Sequence, residues 1–146
     1  MDGITTTVKV KIGIEQGSVY NFAPKDVVPN HYFIVLNKNP KRDSEIHLAP
    51  FTTKRGKILN FISLQKLSTE TFVEIKEDEC VFLPRREESC VDCNRLIKIS
   101  LENLIELIDS SNGSCNYPKV EEALLERVIK GVRASRMVST AIKATL

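Results

Sequence analysis

The sequence has no tryptophan, only two histidines and no apolar run long enough to cross a bilayer. A transmembrane helix needs about 20 consecutive apolar residues, and the first 15 residues hold no apolar core of a signal peptide. We therefore expect a cytoplasmic protein without a membrane partner. The scarcity of histidine also shortens the list of side chains that could transfer protons near neutral pH.

The sequence also lacks the motifs that carry common cofactor and metal chemistry. It contains no glycine-rich phosphate loop, no HExxH helix, no GxSxG elbow and no EF-hand loop. We therefore expect no cofactor. The net charge of +2 is too small to indicate a nucleic-acid-binding protein by itself, but it is compatible with a local basic groove.

What is present is an ordinary globular composition, with 42% hydrophobic and 27% charged residues among 146. A chain of this length can build one core. Alternating apolar residues and short apolar runs predict strands in the first hundred residues. They lie at residues 8–14, 17–20, 31–36, 45–50, 71–75, 80–83 and 95–99. The strands 31–36 and 45–50 are expected to pair as a hairpin, and the pattern leaves 58–70 open between strand and helical turn.

The pattern changes to a helical period near residue 100. Ser100 is a good N-cap for a helix over 101–109, and an apolar stripe predicts one long helix over 119–146. Many short strands followed by helices favour a mainly β fold, a small antiparallel barrel with one short and one long C-terminal helix. We expect residues 1–110 to form the barrel with its short helix, and 111–146 a helical extension packed on the same domain.

Four cysteines raise the question of a zinc site. A structural zinc ion needs four converging ligands, usually arranged as two close pairs. Cys90 and Cys93 form one such pair, but Cys80 and Cys115 are far from it in sequence. The favoured interpretation is partly buried thiols in a small β-structure with no metal. A zinc site made by all four cysteines is the alternative.

Two polar positions stand out as candidates for chemistry. His31 opens the most apolar strand, where an imidazole can act as acid or base. Thr52 and Thr53 end the next strand and lead into a basic loop that contains Lys54, Arg55 and Lys57. Hydroxyls beside cations suit a phosphodiester, because hydroxyls orient the phosphate and cations neutralise it. A solvated turn is the plain alternative.

A second basic segment lies in the loop of the predicted hairpin and contains Lys38, Lys41 and Arg42. If the two basic loops framed one groove, Tyr32 beside them could stack on a nucleobase. The sequence therefore makes a nucleic-acid-binding groove one hypothesis for this region.

These residues resemble a known family. The segment Gly17-Ser18-Val19-Tyr20, the apolar strand from His31, the ending Pro50-Phe51-Thr52-Thr53 and the later Val91-Asp92 strand are similar to the PemK/MazF-like toxins of bacterial toxin–antitoxin systems. The similarity spans roughly residues 15–110. It implies an SH3-like barrel, a homodimer, an antitoxin-like protein partner, and cleavage of single-stranded RNA by the ribose 2′-hydroxyl without a metal.

The resemblance places Thr52 or Thr53 at the active-site hydroxyl of the family. It fails at the start of the apolar strand, where the family commonly has Arg-Pro and this chain has His31-Tyr32. Either His31 replaces the arginine as acid or base, with Arg55 or Arg42 supplying the charge, or activity is lost. A catalytically inactive barrel that binds nucleic acid or a protein is therefore the second hypothesis for function.

Overall fold

The computed structural model describes residues 5–24 and 29–146, so part of the predicted loop 23–30 lies outside the described residues. Six strands are present in this part of the chain: β1 Val19–Phe22, β2 His31–Val35, β3 Ile46–Thr52, β4 Phe72–Glu74, β5 Cys90–Asp92 and β6 Ile97–Ile99. The α-helices are α1 Thr6–Gly13, α2 Arg55–Gln65, α3 Leu101–Ser110, α4 Glu122–Ala134 and α5 Thr140–Lys143.

The strands form one antiparallel sheet with β3 at its centre. The order is β1-β2-β3-β5-β4, and β6 also pairs with β3. Leu48 of β3 lies opposite Val35 on one side and Ile97 on the other, so β2 and β6 use opposite edges of β3. The predicted hairpin of residues 31–36 and 45–50 is confirmed. In the part of the chain that is described, β1 and β4 do not pair, and the sheet does not close into a barrel.

Helices cover both faces of the sheet. Ile34 points into a core shared with Leu124 and Val128 of α4. Its neighbour Phe33 points to the other face, where it packs in a core with α1 and α3. Alternate residues of β2 are therefore buried on both sides, as the nearly continuous apolar run predicts.

The predicted strand over residues 8–14 is wrong, because this segment forms α1. The Thr5 side chain caps the helix by accepting a hydrogen bond from the Val8 N–H at 3.3 Å. Val10 and Ile14, four residues apart, are both buried in the core that includes α3. The N-cap and the packing of these two side chains in the core with α3 stabilise the helix more than the alternating pattern favours a strand.

The basic loop predicted over 52–57 is shorter than expected, because α2 begins at Arg55. The ambiguous segment 58–70 is mostly the rest of this helix. The predicted strand over 80–83 is also wrong. Cys80 has a left-handed backbone with φ of +49°, which starts a turn and is incompatible with an extended strand.

The single long helix predicted over 119–146 is interrupted at Ser135. This buried side chain donates a hydrogen bond to Asn94 Oδ1 at 2.6 Å and accepts one from the Met137 N–H at 3.2 Å. A serine bonded in this way competes with the helical backbone, so α4 ends and a separate turn, α5, follows. The short helix predicted over 101–109 is confirmed, with Ser100 as its N-cap.

Candidate functional site

The candidate site lies at the open end of the β2–β3 hairpin. Phe33 pairs with Pro50, and the same antiparallel register carried on by two residues sets His31 across from Thr52. The start of β2 and the end of β3 thus meet at one edge of the sheet. Two residues that are 21 positions apart in the sequence become neighbours through strand pairing alone.

A cleft of about 250 Å³ opens at this end, and we call it the Tyr32 cleft. It has an apolar wall and a polar rim. Its lining residues are Pro29, Asn30, His31, Tyr32, Phe51, Thr52, Thr53, Lys54, Leu83, Pro84, Arg85 and Ser89. The structure therefore brings together on one concave surface five of the residues singled out from the sequence.

A second cleft of about 310 Å³ adjoins the first, and we call it the Arg95 cleft. The two share four lining residues, so they are neighbouring parts of one depression. The residues of the Arg95 cleft are His31, Phe33, Pro50, Phe51, Thr52, Lys54, Lys57, Ile58, Asp92, Arg95 and Ile97. Three cations, one imidazole and one carboxyl group thus line a single hollow.

The imidazole of His31 is half-buried between the two clefts. Burial lowers the pKa of His31 below its ordinary value, and the positive charge of Lys54 lowers this pKa further. The ring is therefore neutral at pH 7 and has a free lone pair. A neutral imidazole beside a cation can accept a proton from a hydroxyl group that enters the cleft.

Asp92 and Arg95 also line this hollow, although the sequence pattern does not predict them as site residues. Burial raises the pKa of Asp92, although the Asn94 N–H donates to its Oδ1 at 3.0 Å and Arg95 lies nearby. Arg95 Nε is 3.7 Å from Asp92 Oδ2, and its guanidinium lies over the Phe61 ring at 4.8 Å. The sequence signal that could have suggested them is an acidic residue at the end of a short strand, with an Asn two positions later and an Arg three positions later.

Thr52 and Lys54 connect the sheet to α2. Thr52 Oγ1 accepts a hydrogen bond from the Lys54 N–H at 3.1 Å, which closes a tight turn before the helix. The first turn of α2 has neither an acidic residue nor a side-chain cap. The N–H groups of that turn and the positive end of the helix dipole therefore lie beside the cleft, and no acidic side chain of the turn itself neutralises them.

Tyr32 belongs to an aromatic cluster at the wall of its cleft. Its ring centroid is 5.2 Å from that of Tyr117 and 6.0 Å from that of Phe82. Burial, followed by the hydrogen bond with Tyr117, raises the pKa of Tyr32 to about 12. The ring is therefore an uncharged and well-supported flat surface beside the polar rim.

Arg55 is not among the residues that line either cleft. Its guanidinium forms an ion pair with Glu74 and lies over the Phe72 ring at 5.1 Å. Arg55 thus lies outside the lining of both clefts, and its catalytic role stays a prediction. Two arginines that are remote from it in sequence line the site instead, Arg85 in the Tyr32 cleft and Arg95 in the Arg95 cleft.

The two basic loops, expected to frame one groove, lie at opposite ends of the hairpin. Lys38, Lys41 and Arg42 lie in the turn of the hairpin, whereas the cleft lies at its open end. The length of β2, roughly 15 Å at about 3.3 Å per residue, separates the two ends. Lys41 Nζ donates to the Ile12 carbonyl at 2.6 Å, which ties the turn to α1.

The four cysteines do not form a metal site. Across residues 5–24 and 29–146, no three His, Cys, Asp or Glu side chains cluster as metal ligands would. Cys90 Sγ is 3.5 Å from the Thr52 carbonyl, and Cys93 Sγ is 3.6 Å from the Val128 carbonyl. Burial raises the pKa of Cys90 to about 11 and raises the pKa values of Cys80 and Cys93 as well, so these thiols remain protonated.

Comparisons with known proteins add no assignment, since neither protein-family models nor curated proteins match the sequence. Among the described residues, none of the helices has the length and apolar character needed to cross a bilayer.

Proposed function

We propose that the protein cleaves single-stranded RNA at the Arg95 cleft, through attack of a ribose 2′-hydroxyl on the adjacent phosphate. The observation that carries this proposal is the convergence of His31, Thr52 and Lys54 with Lys57 and Arg95 around one hollow. Such a site combines a neutral base, a hydroxyl group and a concentration of positive charge. These are the groups that phosphodiester cleavage by an internal nucleophile requires.

The reaction balances without an added reagent. The His31 imidazole takes the proton from the 2′-hydroxyl, and the resulting oxygen forms a bond to phosphorus. The bond from phosphorus to the 5′-oxygen breaks, and that oxygen receives a proton. Asp92 is the candidate donor for this proton, because it lines the same cleft and burial favours its protonated form. The products are a 2′,3′-cyclic phosphate and a 5′-hydroxyl end.

Positive charge stabilises the phosphorane that forms during this step. Lys54, Lys57 and Arg95 line the cleft, and the first turn of α2 adds the positive end of its dipole. Thr52 orients the phosphate oxygens by hydrogen bonding. Groups that are already in place and aimed at developing charge lower the barrier more than groups that must rearrange.

The Tyr32 cleft would hold the nucleobase next to the scissile phosphate. Tyr32 supplies a flat aromatic surface, and Thr53 with Arg85 supplies polar groups at the rim. A nucleobase reaches such a pocket only when it is not paired and stacked in a duplex. This is the reason to expect single-stranded RNA as the substrate.

The resemblance to PemK/MazF-like toxins supports the same reaction and extends the proposal. A relation of this open sheet to the family’s SH3-like fold, a homodimer, an antitoxin-like partner and a cytoplasmic location are parts of the proposal that rest on that resemblance. Where the family has an arginine at the start of the apolar strand, this chain would use His31 as the base and Arg95 as the positive charge.

The test is incubation of the purified protein with single-stranded RNA in EDTA. We expect fragments with 2′,3′-cyclic phosphate ends from wild type, and none from an RNA that carries a 2′-deoxy sugar at the cleaved position. Fragments with 3′-hydroxyl ends would contradict the mechanism. RNA that binds at the clefts and stays intact would instead favour the alternative, a non-catalytic binding module.

A further inference from the structure

The strand β4 leaves one edge of the sheet open. It is the last strand in the sheet order and pairs only with β5 in the part of the chain that is described. A groove of about 520 Å³ runs along it on the side of α4. The residues that line this groove, here called the β4 groove, are Glu70, Phe72, Val73, Glu74, Ile75, Lys76, Arg127 and Lys130.

Two hydrogen bonds show which backbone groups of β4 point towards β5 and which point outward. The Cys93 N–H donates to the Thr71 carbonyl at 3.0 Å, so Thr71 and then Val73 turn their backbone groups towards β5. Phe72 and Glu74 therefore turn theirs outward. The Glu74 carbonyl confirms this direction, because it accepts a hydrogen bond from Arg127 Nη2 at 3.1 Å.

Two of the four outward backbone groups are already used. The Phe72 N–H donates to the Thr69 carbonyl, and the Glu74 carbonyl is bonded to Arg127. The Phe72 carbonyl and the Glu74 N–H have no hydrogen-bond partner within residues 5–24 and 29–146. An open acceptor and an open donor two residues apart thus face the β4 groove.

This pair of groups favours one direction for an added strand. An antiparallel partner exchanges both bonds with a single residue, and at Phe72 and at Glu74 one group is already taken. A parallel partner instead places one residue between the two positions, donating its N–H to the first and accepting from the second. The open pair fits a parallel strand.

The side chains around the groove indicate the chemistry of such a strand. Phe72 and Ile75 are half-buried and apolar, whereas Lys76 and Lys130 are exposed. Neither lysine forms an ion pair in the described part of the chain, while Arg127 is paired with Glu79 and Glu74 with Arg55. Among the side chains that line the groove, Glu70 is the one carboxylate outside these ion pairs, so the two lysines leave an excess of one positive charge.

We propose that the β4 groove binds an extended acidic peptide segment, which adds to β4 as a parallel strand. Main-chain hydrogen bonds to Phe72 and Glu74 give the affinity, and acidic side chains directed at Lys76 and Lys130 give the preference. This surface is separate from the two clefts, so the inference does not depend on RNA cleavage.

A matched pair of variants at one position tests the backbone bond. Glu74→Pro removes the outward N–H, and proline is tolerated at such a position on an edge strand. Glu74→Ala removes the same carboxylate but keeps the N–H. The probe is an acetylated and amidated acidic hexapeptide of alternating Glu and Val, titrated into ¹⁵N-labelled protein. Circular dichroism checks that both variants are folded.

We expect wild type and Glu74→Ala to bind the hexapeptide, with slowed amide exchange at residue 74. Binding to Glu74→Pro should be at least tenfold weaker, and so should binding of a Lys-Val hexapeptide to wild type. The proposal would be overturned if the two variants bound equally, if the two peptides bound wild type equally, or if no binding occurred at millimolar concentration. If Glu74→Pro does not fold, the control is the same peptide with an N-methylated central residue, titrated into wild type. Undiminished binding of that peptide would contradict the proposal. Self-association of wild type that Glu74→Pro abolishes would identify a second copy as the occupant instead.

Discussion

The two ends of the β2–β3 hairpin contain similar residues in different surroundings. Each end has basic side chains and one of the two histidines of the protein, His31 at the open end and His47 near the turn. At the open end, His31 is half-buried and lines two clefts. Near the turn, His47 is only 4% exposed, and its Nδ1 lies 2.9 Å from Thr145 Oγ1.

The difference teaches that the partners of a residue, more than its type, decide whether its side chain is committed to the fold or open to a ligand. Thr145 Oγ1 donates to the Ile142 carbonyl at 2.6 Å, so it accepts from His47, whose proton is then fixed on Nδ1. His47 thereby holds the segment after α5 on the sheet. His31 is instead positioned beside Lys54, with its ring available to a ligand.

The largest expected effect is on catalysis at the open end. His31→Ala should lower the rate of RNA cleavage about 10²–10⁴-fold, because it removes the proposed base. The rate is measured in single-turnover assays with labelled RNA. Lys41→Ala, at the turn of the same hairpin, is the control and should cleave at the wild-type rate. An equal loss in both variants would contradict the comparison.

The opposite result is expected at the turn, where a substitution should affect stability and leave catalysis intact. Asn37 is fully buried, donates to the Glu45 carbonyl at 2.9 Å and accepts from the His47 N–H at 2.7 Å. Asn37→Ala leaves these groups unpaired and should lower the free energy of unfolding by about 2–4 kcal/mol. Urea titration measures this loss. The exposed Asn39→Ala should stay within about 0.5 kcal/mol of wild type, and a similar loss there would show that the turn is generally fragile.

A smaller effect is expected from single cations. Lys54→Gln should weaken binding of an uncleavable 2′-deoxy oligonucleotide about tenfold at low salt, since it removes one charged hydrogen bond to phosphate. It should also reduce the slope of log affinity against log salt by about 1. Fluorescence anisotropy at several salt concentrations measures both. Lys38→Gln should change neither quantity, and a matching change there would mean that RNA also contacts the turn.

The smallest expected effect is on the pH dependence of stability. Burial lowers the pKa of His47, with Lys98 acting in the same direction and Glu45 and Asp43 opposing it. The unfolded state therefore binds the proton more tightly, and stability falls as the pH drops below about 6.5. Thermal melts of His47→Gln between pH 7 and 5 should show a shallower fall than wild type. An equally steep fall would mean that His47 does not contribute.

Local signals in the sequence identify much of the sheet and one helix. The apolar run from His31, the hairpin to Pro50 and the Ser100 cap were all readable, because each is encoded by neighbouring residues. The α1 helix was not, since its stability depends on the contact of Val10 and Ile14 with the core that includes α3. The break at Ser135 depends in the same way on Asn94, which is 41 residues away.

The candidate site was predictable only in part, for the same reason. His31, Thr52 and Lys54 are joined by one hairpin, whose pairing the sequence indicates. Asp92 and Arg95 reach the cleft because β5 pairs with the far end of β3, a contact between distant segments. Arg55 looked equivalent to Lys54 in sequence, but the start of α2 turns it towards Glu74.

The most direct test of the central claim is an NMR titration of the ¹⁵N-labelled protein with a single-stranded RNA made uncleavable by 2′-deoxy substitution. The account predicts amide shifts at residues 31–32, 52–57 and 92–95, with residues 38–42 unchanged. Shifts centred on residues 38–42, or none at the open end of the hairpin, would contradict it.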